Sequence, residues 1–423
     1  MANGFSKEEK VAFDDLLDGF NDALVVSALV SKFDMGSVEA ERGSDTIWRP
    51  APYIAQSYSG LDQTGNFGDN TQLSVPAQVG TIKSSNFSLN AKELRDGIQE
   101  NRLAMAASQK LASDINVALM TTAADQGTVF VKRSAAATGY ADIAEADAML
   151  NELGVGMSDR VMALSSRDYN NMASNLAARE TMNTKPTSAF ENSLVGRVAG
   201  FETHKLDYAN SLVAAAGVTV TINGANQFYT PVSTVTAANG LNESNVDNRY
   251  QTITIGVVSG TVKVGDAFTI AGVNSVHHIT KGDTGQLKTF RIHEIVTGAG
   301  GAGTVKISPP IISNGGATDA ELQYKNVAAT PANGAAITFL NTVTASVNPF
   351  WHKDAIELLR SELIMPSDAG MSSINATTDQ GINVLMTKQG DINDLKVKYR
   401  LDVFFGTVMT NPEMAGVEMF SQT

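Results

Sequence analysis

A run of short β-type segments between residues 218 and 343 constrains the fold of this chain more than any other feature. Helical periodicity is almost absent there, and β-branched residues form stretches separated by Gly, Asn and Asp at 218–222, 250–255, 267–270 and 289–292. Short strands at regular spacing with turn residues between them predict a small antiparallel barrel or sandwich. The predicted core of this β-rich island is Val220, Ile222, Ile253, Ile255, Phe268, Ile270 and Ile292.

Helical patterns resume on both sides of the island, at 142–153 and at 352–362. A compact domain is inserted into another most easily where its entry and exit lie close together at the surface. We therefore interpret the chain as one host domain that carries an inserted β-domain.

Length and composition bound the class of protein. The chain has 423 residues, of which 43% are hydrophobic, so it can bury a large core and is too long for one ordinary domain. A net charge of −13 argues against a nucleic-acid-binding protein. No cysteine is present, which excludes disulfides and thiolate metal sites. The N-terminal residues lack the apolar core of a signal peptide and no apolar run approaches the ~20 residues of a membrane helix, so we expect folding in the cytoplasm.

The N-terminal part contains two helical patterns around an extended segment. Residues 7–32 have the spacing of an amphipathic helix. Residues 48–85 have no helical period and are too long for an ordinary connector, which indicates an arm that packs elsewhere or a disordered segment. Asn90 is a suitable N-cap for a long helix that continues to about residue 123.

Residues 140–210 alternate between helix and strand patterns. The spacing predicts helices at 142–153 and 166–177 and a strand at 160–164. After the island, residues 352–362 have helical spacing, and two strand patterns follow between 381 and 405. The sequence therefore predicts a host domain that mixes α and β elements.

Residue types that carry catalysis do not form a recognisable pattern. His277 and His278 are adjacent in the island, and neighbouring side chains on a strand point to opposite faces, so they would not converge on one metal. The glycine-rich stretch 298–303 lacks a following helix and a Gly-Lys-Ser/Thr motif, so we interpret it as a hairpin connection and not as a phosphate loop. Neither a Gly-x-Ser-x-Gly elbow nor a His-Glu-x-x-His motif occurs. We expect no enzyme, no cofactor and no metal site.

The order of these parts resembles the major capsid (coat) proteins of short-tailed, Salmonella-type bacteriophages. The resemblance is carried by Ser-Asp-Thr-Ile-Trp at 44–48, Leu-Arg-Asp at 94–96 with Gln-Lys-Leu-Ala at 109–112, Asn-Val-Asp-Asn-Arg at 245–249, and Asn-Pro-Phe-Trp-His-Lys-Asp-Ala-Ile at 348–356. The co-linear order of these motifs over nearly the whole chain makes the resemblance strong.

The resemblance implies an α+β fold, the capsid fold of tailed phages and herpesviruses, with an inserted β-barrel domain. The expected segments are an N-terminal arm at 1–47, an extended loop at 48–85, a spine helix in a peripheral domain at 86–129, an axial domain at 130–216, the inserted barrel at 217–345, and the rest of the axial domain with the C-terminal strands of the peripheral domain at 346–423.

The resemblance also implies the function and the partners. The protein would be the structural major capsid protein of an icosahedral phage head that encloses double-stranded DNA, built through a scaffolded procapsid that matures. Its partners would be copies of itself in pentamers and hexamers, a scaffolding protein and a portal protein at one vertex. The DNA would be enclosed without sequence-specific binding, and no membrane would be involved. The protein would be found in the virion after assembly in the cytoplasm of the host bacterium.

The 235–247 stretch has the composition of an exposed loop. By resemblance it would reach across a two-fold axis to a neighbouring capsomer, and Glu243, Asp247 and Arg249 are the candidate contact residues. A solvated turn with no partner is the alternative.

Two other functions fit parts of the sequence. One is the shell protein of a bacterial nanocompartment with the same fold. The other, from a different class, is an adhesion or binding protein that uses the β-rich island as its binding module.

Overall fold

A computed structural model describes residues 7–34, 46–52, 54–55, 57, 59–65, 67–68, 70–90, 97–177, 196–205, 210–216, 219–236, 242–363, 371–391 and 393–423. The α-helices in these ranges are α1 Lys7–Ala23, α2 Gly97–Gln126, α3 Tyr140–Leu153, α4 Ser166–Ala177 and α5 Asp319–Tyr324. Short 3-10 helices lie at Val26–Leu29, Gly298–Gly300, Lys353–Ala355 and Pro412–Met414.

The described strands contain more residues than the described helices. The first twelve are β1 Ser31–Asp34, β2 Thr46–Pro50, β3 Ser74–Gln78, β4 Thr81–Asn90, β5 Val129–Lys132, β6 Arg160–Leu164, β7 Arg197–Val198, β8 Phe201–Lys205, β9 Ser211–Leu212, β10 Thr219–Ile222, β11 Thr234–Thr236 and β12 Asn242–Ser244. The others are β13 Gln251–Ser259, β14 Ala267–Val276, β15 Asp283–Ile295, β16 Gly303–Ser308, β17 Ala336–Phe339, β18 Ala345–Ser346, β19 Asn348–His352, β20 Ile356–Arg360, β21 Ser372–Thr377, β22 Asn383–Asp391, β23 Lys396–Met409 and β24 Ala415–Met419.

The chain folds as two units. The first unit is formed by Met1–Ile47, Ala77–Thr122 and Ile356–Val408. The second unit is formed by Trp48–Pro76, Ala123–Ala355 and Met409–Thr423. The six segment boundaries that the resemblance implies are not tested by this division and stay predictions.

A six-stranded sheet organises the first unit. Its strand order is β1-β20-β23-β22-β21, and β4 pairs with β23. The apolar side of α1 is buried in this unit through Phe13, Leu16 and Phe20. The predicted strands between 381 and 405 are confirmed as β22 and β23.

The N-terminal helix is shorter than the predicted range 7–32. It ends at Ala23, whose carbonyl accepts a hydrogen bond from Nδ2 of Asn116 at 2.9 Å. The chain then forms the 3-10 helix Val26–Leu29 and enters β1, which pairs in parallel with β20. Leu24, Val26 and Val30 are buried after the helix has ended, whereas Val25 is exposed.

The long helix is confirmed, but its predicted start is wrong. Asn90 is the last residue of β4 and pairs with Lys396 instead of capping a helix. Residues 91–96 lie outside the described structure, and α2 has 30 residues, about 45 Å at ~1.5 Å per residue. Its fully buried apolar side chains include Leu111, Ala112, Ile115 and Leu119.

The host part of the second unit is a six-stranded sheet with order β5-β24-β19-β6-β8-β7. The helices predicted at 142–153 and 166–177 are confirmed as α3 and α4, and the strand predicted at 160–164 is confirmed as β6. A core cluster joins Ile143 and Leu150 of α3 and Met172 of α4 to the sheet. These elements form an α/β layer that supports the inserted domain.

The helix predicted at 352–362 is wrong. The chain there leaves β19, makes the 3-10 helix Lys353–Ala355, and continues as β20. The first four residues of β20 are all buried, because β20 lies between β1 and β23. Without an alternation of buried and exposed positions, so short a segment cannot be assigned to a strand or a helix by its periodicity.

The β-rich island folds as a closed barrel with strand order β10-β13-β16-β15-β14-β17, which decides between the predicted barrel and sandwich. All seven predicted core residues are buried in it. Closure leaves no open sheet edge, because β10 pairs with both β13 and β17. Just before and after the barrel, β9 pairs with β18, so the chain enters and leaves the barrel side by side.

Three details of the island differ from or refine the predictions. The short helix α5 was not predicted; it begins at the N-cap Thr318, whose side chain accepts a hydrogen bond from the backbone of Glu321. His277 and His278 lie in the loop after β14 and not on a strand. The glycine-rich stretch 298–303 connects the antiparallel strands β15 and β16, as predicted.

Candidate assembly interface

The stretch predicted as an assembly loop contains a β-hairpin. β11 pairs antiparallel with β12, and Val235 lies opposite Glu243. The β11 residues are exposed, and residues 237–241 lie outside the described structure. The composition had indicated a loop, and the Thr-Val-Thr alternation of β11 is the strand signal within it.

Asp247 and Arg249, two of the three predicted contact residues, form an ion pair within the chain. Nε of Arg249 donates to Oδ1 of Asp247 at 2.9 Å, and Nη2 donates to Oδ2 at 2.7 Å. Nη1 of Arg249 donates to the backbone oxygen of Met409 at 2.8 Å. Burial disfavours the charged Arg249, but the hydrogen bonds to Asp247 outweigh it and raise the pKa of the guanidinium. The pair therefore fixes the base of the hairpin, and its predicted contact with a neighbour stays a prediction.

Asn248 holds the same base through its side-chain amide. Its Nδ2 donates to the backbone oxygens of Val232 and Val246, each at 2.9 Å. Its Oδ1 accepts from the backbone of Val232 at 3.0 Å and from the hydroxyl of Tyr229 at 2.9 Å. Because all these bonds are local to the two ends of the hairpin, they set where the hairpin leaves the barrel.

A buried arginine attaches the barrel to the end of the long helix. Nη1 of Arg291, on β15, donates to the backbone oxygens of Ala124 and Gly127, the latter at 3.2 Å. Carbonyls at a helix C-terminus lack intrahelical donors and carry partial negative charge, so a cation there is favourable. Burial lowers the pKa of Arg291 to about 10, while the carboxyls of Asp125 and Asp266 favour its charged form. The guanidinium is therefore still charged at neutral pH.

A second ionic contact, between a buried lysine and a largely buried glutamate, joins the barrel to the segment after β23. Glu413 pairs with Lys288 of the barrel and accepts a hydrogen bond from Nδ2 of Asn326 at 3.2 Å. Nε2 of His278 lies 3.5 Å from Oε2 of Glu413. Burial opposes the charge of Glu413, but the charge of Lys288 outweighs it and lowers the pKa of the carboxyl. Burial lowers the pKa of His278 to about 4, so this imidazole is neutral at neutral pH.

Acidification is expected to weaken this second contact. The unfolded chain takes up a proton at His278 near pH 6.5, and the folded chain does so only near pH 4. Between these values the unfolded state binds more protons, so the free energy of unfolding falls as the pH is lowered, by about 3 kcal/mol at ~1.4 kcal/mol per pKa unit. Glu413 opposes this depression of the pKa, and Lys288, Lys281 and His277 add to it.

Melting temperatures between about pH 7 and about pH 4 test this expectation. His278→Gln removes the titrating group, so its melting temperature should fall less with acid than that of the wild type. His204→Gln, in the host sheet, is the matched control for replacing a histidine with glutamine. If the melting temperatures of the wild type and His278→Gln fall equally as the pH is lowered, His278 does not weaken the fold in acid.

Lys288, Arg291 and Glu413 were not singled out in the sequence. In the run from Lys288 to Ile292, Thr289 and Arg291 alternate with the apolar residues of the barrel core. In a strand this alternation predicts that Thr289 and Arg291 face solvent, so the sequence contains no sign that Arg291 is covered. The residues that cover it are distant in sequence and are known only from the fold.

The described ranges contain no group of three or more His, Asp or Glu side chains placed to hold a metal ion. None of the helices described there is both long and apolar enough to cross a bilayer.

Comparison with known proteins identifies the class of protein to which this fold belongs. The model of the P22 coat protein family matches residues 1–421. A solved structure of the CUS-3 coat protein I-domain aligns with 29% of this chain and 96% of its own length. Over the aligned residues the sequence identity is 45%, and the TM-score is 0.22. A structure from Mycobacterium phage Che8 is 11% identical over 93% of this chain and 90% of that one, with a TM-score of 0.44. The capsid structure of cyanophage P-SCSP1u is 10% identical over 93% of this chain and 86% of the phage chain, with a TM-score of 0.42.

The fold, a phage capsid fold with a closed barrel inserted in it, is that of a structural protein of the bacteriophage head. The chain belongs to the P22 coat protein family. It is a major capsid protein, which assembles with its own copies into the icosahedral shell of the virion.

Proposed function

We propose that this chain assembles in the host bacterial cytoplasm, with a scaffolding protein, into a procapsid of pentamers and hexamers. The procapsid would carry a portal protein at one vertex and would mature around double-stranded DNA without any catalytic step by this chain. The observation that carries the proposal is the family match over residues 1–421. The net charge of −13 supports it, because an acidic wall does not condense onto the DNA that it encloses.

Co-expression with and without the scaffolding protein tests the proposal. We expect closed shells of uniform size in negative-stain electron microscopy when the scaffolding protein is present, and fewer or irregular shells without it. Each contact in such a shell is weak, and closure links many contacts through their effective concentration. Sedimentation that shows only monomers under all conditions, with the scaffolding protein present, would overturn the proposal.

We further propose that the β11–β12 hairpin is the contact between neighbouring capsomers, with Glu243, Asp247 and Arg249 as its charged residues. The exposed β11 supports this, because an exposed strand offers backbone groups and side chains to a partner. The pair between Asp247 and Arg249 supports a division of roles. These two residues hold the base of the hairpin, and Glu243 pairs with a basic residue of the neighbouring capsomer.

Two single substitutions separate these roles. Glu243→Ala is expected to leave the melting of the monomer unchanged, because an exposed pair contributes about 0–1 kcal/mol, and to shift assembly toward tubes, aberrant shells or free subunits. Asp247→Ala is expected to lower the free energy of unfolding by about 1–3 kcal/mol, because it removes the carboxylate that accepts two hydrogen bonds from the half-buried guanidinium of Arg249.

Thermal melting of the monomer and electron microscopy of the assembly products are the measurements. Glu152→Ala changes an exposed glutamate of the host domain and should form normal shells. Normal shells at normal yield from Glu243→Ala, over a range of salt concentrations, would remove Glu243 from the contact.

A further inference from the structure

Glu418 is a carboxyl group in the core of the host domain. It lies in β24, between β5 and β19, opposite Val131 and Asn348. The residue is 0% exposed. Both of its carboxyl oxygens are buried and make no hydrogen bond within the described structure. Buried polar groups normally have a partner, so this group requires an explanation.

The alternation of β24 places Glu418 on the face of the sheet that α3 and α4 cover. Its neighbours Val417 and Met419 belong to one apolar cluster, together with Phe130 of β5 and Ala267 of the barrel. Successive side chains of a strand point to opposite faces, so Glu418 points away from that cluster. The other face carries the core cluster formed with α3 and α4.

The charged groups that face Glu418 are mostly acidic. They are Asp142 and Glu145 on α3, Asp168 on α4, and Arg133, which follows β5. Arg133 is the only cation among them, and it is already bound to α3. Its Nε and Nη2 donate to Oδ1 of Asp142 at 3.0 and 2.7 Å, and its Nη1 pairs with Glu145.

The polar groups beside Glu418 are also engaged elsewhere. Nδ2 of Asn348 donates to Oδ2 of Asp168 at 3.1 Å and to the backbone oxygen of Glu418 at 3.2 Å. Oδ2 of Asp168 accepts a further hydrogen bond from Oγ of Ser165 at 2.7 Å. The side chain of Asn348 thus reaches the backbone of Glu418 and not its carboxyl group.

An unpaired carboxylate in such a place is costly, and a buried acid normally takes up a proton instead. Burial is the main cause that raises the pKa of Glu418 well above its usual range, and Asp142 adds to it while Arg133 opposes it.

We propose that Glu418 is a neutral carboxylic acid in the folded host domain and acts as a proton-dependent lock between the sheet and helices α3 and α4. While the proton is present, the apolar packing on that face is undisturbed. When the proton leaves, a charge appears in the core beside Asp142 and Asp168, and the helices separate more easily from the sheet. The packing of α3 and α4 on the sheet is then more stable in mild acid than in alkaline solution.

The sign follows from proton binding. The unfolded chain releases the proton of this carboxyl near the ordinary glutamate range, and the folded chain keeps it to a higher pH. Between these two pH values the folded state binds more protons, so its stability falls as the pH rises. His278 has the opposite effect on stability, which it lowers as the pH falls, and its effect lies at lower pH.

The test uses the full chain and compares melting temperatures from about pH 5 to about pH 9. Glu418→Gln keeps the shape of the side chain and removes the titration, and Glu418→Met replaces it with an apolar side chain in case the amide is poorly tolerated. Glu152→Gln is the control on the exposed surface of the same unit. As the pH rises, we expect the melting temperatures of the wild type and of the control to fall. The fall should exceed that of Glu418→Gln or Glu418→Met by several degrees.

Infrared spectroscopy gives an independent readout. The folded wild type at neutral pH should show the C=O stretch of a protonated carboxylic acid that is reduced in Glu418→Gln and Glu418→Met and unchanged in Glu152→Gln. The proposal would be overturned by parallel melting curves for the wild type and the Glu418 variants, or by an infrared band that the Glu418 substitutions leave intact.

Discussion

Replacing Arg291 with Met is expected to lower the free energy of unfolding of the second unit by about 3–5 kcal/mol, the usual cost of removing one partner from a buried charged contact. The methionine fills a similar volume, so the loss comes mainly from the hydrogen bonds. The backbone oxygens of Ala124 and Gly127 would be left in the interior without their donor. Asp125 and Asp266 would lose the cation that favours their charged forms.

Denaturant unfolding of the unassembled protein measures this loss. Arg102→Met is the matched control, because Arg102 is exposed on the same long helix. Exposed substitutions of this kind usually change stability by less than about 0.5 kcal/mol. A loss of less than about 1 kcal/mol for Arg291→Met would show that Arg291 does not attach the barrel to the helix end.

Lys288→Met is expected to have a similar effect through the other contact, again about 3–5 kcal/mol. It leaves the carboxylate of Glu413 buried beside the neutral imidazole of His278, with Asn326 as its remaining hydrogen-bond donor. Adding Glu413→Gln to this variant removes the uncompensated charge. The double variant should therefore be more stable than Lys288→Met alone.

A double-mutant cycle over Lys288 and Glu413 gives the coupling free energy between the two residues. Residues in direct contact typically show about 0.5–3 kcal/mol, and we expect a value in the upper part of this range. The cycle needs the free energies of unfolding of the wild type, both single variants and the double variant at one pH. Additive losses from the two single substitutions would contradict a direct ion pair.

These contacts show how the barrel is joined to its host. An apolar seam also exists, in which Ala267 of the barrel packs with Val417 and Met419 of the host sheet. Hydrophobic contact has no direction, whereas the hydrogen bonds of Arg291 and Glu413 are made in one orientation only. Buried charges therefore fix the angle at which the barrel, and the hairpin based on it, leaves the host domain.

The barrel was largely predictable because its signal is local. Runs of β-branched residues between turn residues mark strands, and the alternation within each run decides which side chains enter the core. Val220, Ile222, Ile253 and the other predicted core residues are buried for this reason. The helices α3 and α4 and the strand β6 follow from equally local spacing.

Features that depend on distant partners were not predictable from the chain alone. The choice between barrel and sandwich rests on the pairing of β10 with β17, more than a hundred residues later. Within the range 352–362, Ile356–Arg360 forms a strand and not a helix because it pairs between β1 and β23. The last carbonyl of α1, that of Ala23, accepts its hydrogen bond from Asn116, a residue of the long helix.

The charged residues also separate what the sequence predicts from what depends on distant partners. By residue type, Asp247, Arg291, Glu413 and Glu418 are expected at the surface. The sequence by itself determined that this chain has helices, a long spine and a β-domain with a defined core, because propensity and periodicity act between near neighbours. Only the tertiary structure decided which charges are buried and what they bind, because burial and pairing depend on groups that folding brings together from distant parts of the chain.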